Sequence, residues 1–436
     1  MSQLVRLKKK RAKKTYPGYL LVFTVILILM RITNELSSNI STFIQSSVVN
    51  EFYVRQGLSY EAGLARFTGL SISVSMLALL SVFYKPLADV LGRKAVLCVN
   101  TAATAAGMLL IFASPTVVVY CLGTAVCSFF TQNDVQMVYI LETAPKDRGA
   151  GLFGLIKSFG ILGLLIIPIL RQTVMNNDAA RWRSLYLAPA VVCILICVLL
   201  LLFCRESRLF LDRRISFLEH GKERKESSGN LSLGASIRYI LKNQNLRASI
   251  IAYSFYGLCS MAAYMYVESI MTTNGMTAED VTKALYVYPF VYAAMSFLGG
   301  GAADRWGRKA VVVTTGGFVA AGFLLFVWGC ARGWDPILVG FLNGIYLGGY
   351  WVCGDYISVL FLEKVPTQLR ASVLAGANVL MMAGCFLGIA AQMLLMLKVG
   401  LNLASLLIIV PCISCCVLVI AFRVKETRGT DLKDVE

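Results

Sequence analysis

Charge is scarce in this chain, and histidine is almost missing. Asp, Glu, Lys and Arg make up 15% of the 436 residues, where a soluble domain carries about 25%. With a mean hydropathy of +0.70, that scarcity excludes an ordinary soluble globule. The one histidine, His220, lies in a charged stretch, so no histidine proton relay runs through the apolar segments. A Walker sequence, a glycine-rich nucleotide loop after a strand and metal-ligand spacing are all absent. No catalytic constellation, no cofactor and no metal are therefore expected. Short segments of alternating polarity are missing too, which excludes a β-barrel.

Cysteine and basic residues are plentiful, and both have plain readings. Nearly all of the 13 cysteines fall inside apolar runs, including the run of Cys412, Cys415 and Cys416. They read as small apolar residues rather than as reactive thiolates. Lys and Arg outnumber Asp and Glu by 41 to 24, a net charge of +17. These basic residues sit at the ends of apolar runs and in the loops of one side, so they report membrane topology and not a nucleic-acid partner.

What the chain has instead is apolar runs of about 20 residues, each enough to cross roughly 30 Å of hydrocarbon as a helix. Backbone groups in lipid must be satisfied internally, so the spans are helical. Twelve are expected, at about 17–45, 64–84, 95–113, 116–141, 149–170, 184–204, 248–271, 284–303, 309–330, 336–362, 371–397 and 401–422. Residues 1–14 hold seven basic residues and no acid. The run that follows continues through Arg31 and Asn34 past Ser38 without a small-residue cleavage pattern, so it reads as a retained first span and not a signal peptide. Residues 205–247 carry ten Lys or Arg against five Asp or Glu and read as a cytoplasmic linker. Both termini are expected in the cytoplasm.

The chain also repeats itself. Asp134, Glu142, Pro145 and Arg148 recur as Asp355, Glu363, Pro366 and Arg370, at offsets of 221, 221, 221 and 222. Asp89-Val-Leu-Gly-Arg-Lys94 recurs as Asp304-Arg-Trp-Gly-Arg-Lys309, 304 − 89 = 215 residues on. Glu206 and Glu426, each just after the last span of its half, form a third pair 220 apart. The expected organisation is an N-terminal six-helix bundle (1–204), the linker (205–247) and a C-terminal six-helix bundle (248–436). Parallel halves of this kind are a transporter construction with substrate held near the midplane between them.

These segments resemble the major facilitator superfamily. Gly300 to Lys309 fits that family's loop motif G-x-x-x-D-[RK]-x-G-R-[RK] fully; the first copy has Lys85 for the glycine and Val90 for the first basic residue. Glu142 to Gly149 and Glu363 to Arg370 resemble the segments after spans 4 and 10 of the sugar-porter-like branch, the first being one residue short between Pro and Arg. Arg205-Glu-Ser-Arg and Lys425-Glu-Thr-Arg are similar to that branch's PESPR and PETKG segments without their prolines. The resemblance spans essentially the whole chain. It implies an all-α membrane protein with twelve transmembrane helices in two pseudo-symmetric six-helix bundles. Its implied function is secondary transport of a sugar, organic acid or other metabolite in the plasma membrane, with proton symport. Span 7 lacks the glutamines of sugar porters, reading Tyr253-Ser-Phe-Tyr-Gly-Leu-Cys, and span 5 lacks the G-x-x-x-G-P-x-x-G-G motif of drug antiporters. A proton-driven exporter and a non-transporting membrane sensor are the rival readings. The expected partners are a small-molecule substrate, protons and the lipid bilayer, with no nucleic acid, and the protein is expected to be a monomer.

The few polar residues inside spans are the candidate substrate and proton sites, because a carboxylate in lipid is costly unless it is paired or faces water. Asp134, with Asn133 beside it, lies eight residues, roughly 12 Å, before Glu142. Lys157 on the next, antiparallel span should lie at a similar depth. An Asp134–Lys157 ion pair is expected, lining a cavity or only holding spans 4 and 5 in register. Asp355 is the counterpart of Asp134, but the position matching Lys157 is 157 + 221 = Asn378, which is neutral. Asp355, without a cation, is expected to protonate more readily. Arg31, Asn34 and Glu35 share span 1, with Arg31 and Glu35 one turn apart, as substrate or proton contacts or as a structural bridge. Tyr256 and Tyr350 are the aromatic cavity candidates, with packing as their alternative. Asp89, Arg93, Asp304 and Arg308 suit gating charge networks, with Glu142, Arg148, Glu363 and Arg370 as their partners on neighbouring helix ends.

Overall fold

The structure is a computed structural model that describes residues 7–8, 11–12, 17–79, 84, 87–130, 133–143, 149–220, 232–366 and 369–427. Among these residues the regular structure is helical throughout, with no strand. Among the described residues nine helices are long and apolar enough to cross a membrane.

By where its contacts fall the chain divides into two compact units. The first comprises Met1–Ser41 and Leu70–Lys225 and the second Thr42–Gly69 and Glu226–Glu436. Residues 42–69 lie within the expected first bundle, yet they pack in the second unit.

The first unit begins with α1 (Tyr19–Asn39). Helix α2 (Gln45–Phe52) belongs to the second unit, and α3 (Tyr60–Leu79) starts there and ends in the first. The first unit continues with α4 (Leu87–Leu91), α5 (Arg93–Phe112), α6 (Val117–Phe129), α7 (Asn133–Thr143), α8 (Gly149–Leu162), α9 (Ile166–Thr173), α10 (Leu187–Phe203) and α11 (Arg208–His220). Its core joins α1, α5, α7 and α10 through Phe23, Leu97, Tyr139 and Leu200, all fully buried or nearly so. Phe23 meets the edge of Tyr139 with ring centroids 5.0 Å apart. Gln136 Nε2 donates to the Leu27 carbonyl at 2.7 Å, tying α7 to α1 inside apolar surroundings.

The second unit holds α12 (Leu233–Lys242), α13 (Gln244–Met265), α14 (Val267–Thr273), α15 (Ala278–Trp306), α16 (Arg308–Ala331), α17 (Pro336–Leu362), α18 (Arg370–Val399) and α19 (Leu401–Arg423). Two helix starts are written locally. Thr277 and Asp280 form a reciprocal capping box at α15, and Asp335 caps α17 with Pro336 as first residue. Burial of α17 rests on small residues. Gly340, Gly344 and Gly348 recur every fourth position and face α15. A Cβ on Gly340 would overlap the Ala284 carbonyl, and one on Gly344 would lie 2.5 Å from Val291 Cβ. Lipid tails are as apolar as leucine, so close helix contact of this kind and not hydrophobic exclusion holds the pair together. Elsewhere the apolar surface is turned outward, as at Phe297 (83% exposed) and Leu202 (71%).

Several expected spans are interrupted. Span 1 ends as a regular helix at Asn39 and passes through a 3-10 turn, Ile40–Phe43, before α2. Span 4 holds α6 and α7, with residues 131–132 between them outside the described ones; span 5 is divided by the 3-10 turn Gly163–Leu165, and span 7 breaks at Tyr266 between α13 and α14. The break at Gly163–Leu165 lies inside an apolar run, so hydropathy alone does not mark it. The linker contains two helices, α11 and α12.

Candidate functional site

Helices α5 and α16 begin with the same unmet need: their first backbone N–H groups have no partner inside the helix. The chain enters each through a glycine with positive φ, Gly92 at +108° and Gly307 at +98°. A Cβ on either would overlap the carboxylate of Glu206 or Glu426, so conformation and space both demand glycine. Glu206 accepts from the N–H of Arg93 at 2.9 Å and of Lys94 at 3.2 Å. Glu426 accepts from those of Arg308 at 3.1 Å and Lys309 at 3.0 Å. A carboxylate at a helix N-terminus also meets the favourable end of the macrodipole. Burial pushes the Glu206 carboxyl above its ordinary range, while the N–H groups of Lys94, Ser207 and Arg93 and the Arg93 charge pull it back down.

Each capping carboxylate leads into a second acid. Arg93 Nη2 lies 3.1 Å from Glu142 Oε1, and Arg93 Nη1 donates to the Ala88 carbonyl at 2.7 Å. Ser207 Oγ donates to Glu142 at 2.5 Å. The guanidinium carbon of Arg93 also sits 5.3 Å from the Phe210 ring centre, within cation–π range. The second unit repeats the plan: Arg308 Nε is 3.3 Å from Glu363, Arg308 Nη1 donates to the Ala303 carbonyl at 3.2 Å, and Thr427 Oγ1 donates to Glu363. The copies differ in depth. The side chains of Arg93 and Glu142 are 5% and 10% exposed, those of Arg308 and Glu363 24% and 20%.

Glu142 and Glu363 thus stand beside the arginines they were expected to meet. Arg370 donates from Nε to the Val365 carbonyl at 3.0 Å. Arg148 and the side chains of Asp89 and Asp304 lie outside the described residues. The capping role of Glu206 and Glu426, and the Ser207 and Thr427 hydroxyls, were not foreseen. The equal spacing of Arg-Glu-Ser and Lys-Glu-Thr after the last span of each half was the available signal.

The polar groups inside spans form separate clusters. On α1, Arg31 Nη2 and Glu35 Oε1 are 2.6 Å apart, with side chains 17% and 19% exposed. Asn39 Nδ2 donates to the Glu35 backbone carbonyl at 2.8 Å. A Cβ on Gly160 of α8 would lie 2.6 Å from Arg31 Cγ, so this glycine makes room for the arginine. Asn34 is buried. Asn133, Asp134 and Lys157 are on α7 and α8, but their side chains, and with them the expected Asp134–Lys157 pair, lie outside the described ones.

In the second unit Tyr253 OH donates to Asn378 Oδ1 at 3.1 Å and accepts from Ser358 Oγ at 3.3 Å, joining α13, α17 and α18. Asp355 is exposed, three residues before Ser358 on α17. The expectation for Asp355 presumed burial, and the structure shows the side chain exposed. Tyr256 and Tyr350, expected to contact a cavity, stack with centroids 4.5 Å apart and are 5% and 0% exposed. Tyr256 OH donates to the Tyr350 carbonyl at 3.2 Å. Both are packing residues here, because Gly354 lets the Tyr256 ring press against α17.

A further network went unforeseen. Glu268 on α14 is 2% exposed and accepts from the N–H of Ser46 at 2.8 Å and its Oγ at 2.7 Å. Ser46 Oγ also lies 3.0 Å from Tyr60 OH and 2.7 Å from Thr272 Oγ1. Ser269 donates to Gln45, and Tyr266 to Thr68, at 2.9 and 3.0 Å. These bonds explain why residues 42–69 pack with the second unit. Apart from Ser46 and Tyr60, the partners are more than 190 residues apart, and no repeat points to them.

No curated protein matches the chain. Two solved structures share its fold. One described as a D-xylose-proton symporter is 16% identical, with a TM-score of 0.72, covering 94% of this chain and 99% of its own. The other, described as the inward open conformation of the xylose transporter XylE from E. coli, is 17% identical, with a TM-score of 0.67 and coverages of 95% and 99%. The sequence itself matches the Major Facilitator Superfamily over residues 32–286 and 249–435. The duplicated helix-end clusters lie within those ranges, and the chain belongs to the Major Facilitator Superfamily: it is a multi-pass membrane transporter, not an enzyme.

Proposed function

We propose that the protein moves a small polar organic solute, a sugar, organic acid or other metabolite, across the plasma membrane by alternating access and proton symport. The observation that carries this reading is where the polar groups are. In a chain that is 57% hydrophobic, they gather on α1 (Arg31, Asn34, Glu35) and on the α13–α17–α18 cluster (Tyr253, Ser358, Asp355, Asn378). Polar and ionisable groups inside a membrane mark substrate and ion paths. Asn133, Asp134 and Lys157 are assigned to the same path. The clusters of Arg93, Glu142 and Glu206 and of Arg308, Glu363 and Glu426 act as gates on the cytoplasmic side, with Asp89, Arg148, Asp304 and Arg370. The basic segments support a cytoplasmic location for both termini, and the proposed working unit is a monomer.

Uptake into proteoliposomes under an imposed pH gradient tests the proposal. Xylose, named for the two fold relatives, heads the solute screen. The expected result is accumulation driven by external acid and collapsed by a protonophore. Asp355→Asn is expected to remove the pH dependence while solute exchange continues. Solute expelled against an inward proton gradient would make the protein an exporter instead. Unchanged pH dependence in Asp355→Asn would take the proton role from that residue.

A further inference from the structure

The first unit contains a cavity of about 1050 Å³ at the start of α5 and the end of α10, comparable to the largest ordinary ligand pockets. Its wall divides by chemistry. Four cations line it: Arg11, Lys94, Arg205 and Arg208. Lys94 Nζ donates to the carbonyls of Leu201 at 2.8 Å and Cys204 at 2.7 Å, neutral groups that leave its charge in place. Arg11 pairs with Asp212, and Arg208 is exposed. Two acids also line the cavity, but Glu142 is held by Arg93 and Ser207, and Glu206 by backbone N–H groups. Beside the cations, the last turn of α10 presents Leu201, Leu202 and Phe203, 57%, 71% and 44% exposed.

A basic cavity that opens onto lipid-facing leucine and phenylalanine, at the level where spans end, suits an amphiphile with an anionic head. We propose that it binds an anionic phospholipid, with the phosphate toward Arg11 and Arg208 and the acyl chains along Leu201, Leu202 and Phe203. A soluble phosphate compound would use the cations but leave the apolar wall bare. Basic pockets among transmembrane helices recognise anionic headgroups by charge, each nearby cation contributing about 1 kcal/mol. Only the choice of the inner leaflet rests on the orientation proposed above; the binding itself rests on the cavity. Glu142 lines the same cavity, so the bound lipid would sit against the Arg93–Glu142 cluster.

The test uses the full chain in nanodiscs of phosphatidylcholine, titrated with phosphatidylglycerol, with native mass spectrometry and thermal midpoint as readouts. Phosphatidylglycerol is expected to bind at least tenfold more tightly than phosphatidylcholine. The double variant Arg11→Gln/Arg208→Gln is expected to lose that preference by about tenfold or more. Arg181→Gln/Arg332→Gln, which removes two exposed cations outside the cavity, should keep it. Equal loss in both double variants would reduce the effect to net charge and overturn the site. Equal stabilisation by inorganic phosphate would assign the cavity to soluble anions and overturn the lipid reading. Retained phosphatidylglycerol preference in Arg11→Gln/Arg208→Gln would overturn it outright. Since binding is read without flux, its failure is separate from failure of the transport proposal.

Discussion

At the scale of single residues, depth separates two copies of one device. Glu142→Gln takes the paired carboxylate away from Arg93, which is 4% exposed; breaking a buried pair costs up to about 3–5 kcal/mol. Glu363→Gln leaves Arg308 with more access to water, and a partly exposed pair contributes nearer 1 kcal/mol. The thermal midpoint of purified protein should therefore fall much further for Glu142→Gln, and equal drops would contradict the difference in depth. Lys364, just beyond α17, donates to Ser249 Oγ at 3.1 Å. Burial first, and the Lys309 charge second, push its ammonium down to about 8, against about 10.4 in an unfolded chain. Between those values the unfolded chain binds more protons, so stability rises with pH through that window, and below it the folded state carries the whole penalty. Lys364→Met should raise the midpoint at pH 7, with the gain shrinking by pH 10; a gain that grew with pH would sink the argument. Arg93, Glu142, Arg308 and Glu363 were legible in the sequence because the repeat wrote them twice. Glu206 was legible only as a position, since its cap partners lie 113 and 112 residues away.

At the scale of elements, hydropathy located the spans but not their breaks. Lipid rewards apolar character on every side of a helix, so a 3-10 turn such as Gly163–Leu165 leaves no mark in composition. Glycine spacing was the readable signal for packing, and α17 uses it. Gly344→Leu must displace Val291 and the Tyr288 backbone, both within about 3 Å of a Cβ there. We expect that variant to lose the monodisperse species on size-exclusion chromatography. Gly317→Leu on α16, where a Cβ meets open space, should keep it. A monodisperse Gly344→Leu protein would show that α15 and α17 can separate without harm. The α2–α14 contact is of another kind, polar and buried. Glu268→Ala would leave the Ser46 N–H without its acceptor, at about 1–3 kcal/mol for a buried unsatisfied group. Faster hydrogen exchange over residues 45–52 is the expected readout, and unchanged exchange would mean other contacts hold α2 in place.

At the scale of the whole molecule, the repeat was the most informative feature of the sequence, and it carried both fold and family. It failed where the halves are not equivalent: at Glu268, at the exposed Asp355, and in the assignment of residues 42–69 to the second unit. A duplicated pattern can only report what both copies share. The capping carboxylates also set an order of events during synthesis. The start of α5 is closed by Glu206, reached only after α10 has been made, and the start of α16 by Glu426, reached only after α19. A nascent chain therefore carries open helix ends through the insertion of each set of spans. The first unit can lock before residues 226–436 are translated, and a chain stopped at the end of α19 would hold every span of the second unit and still lack the residue that fastens it.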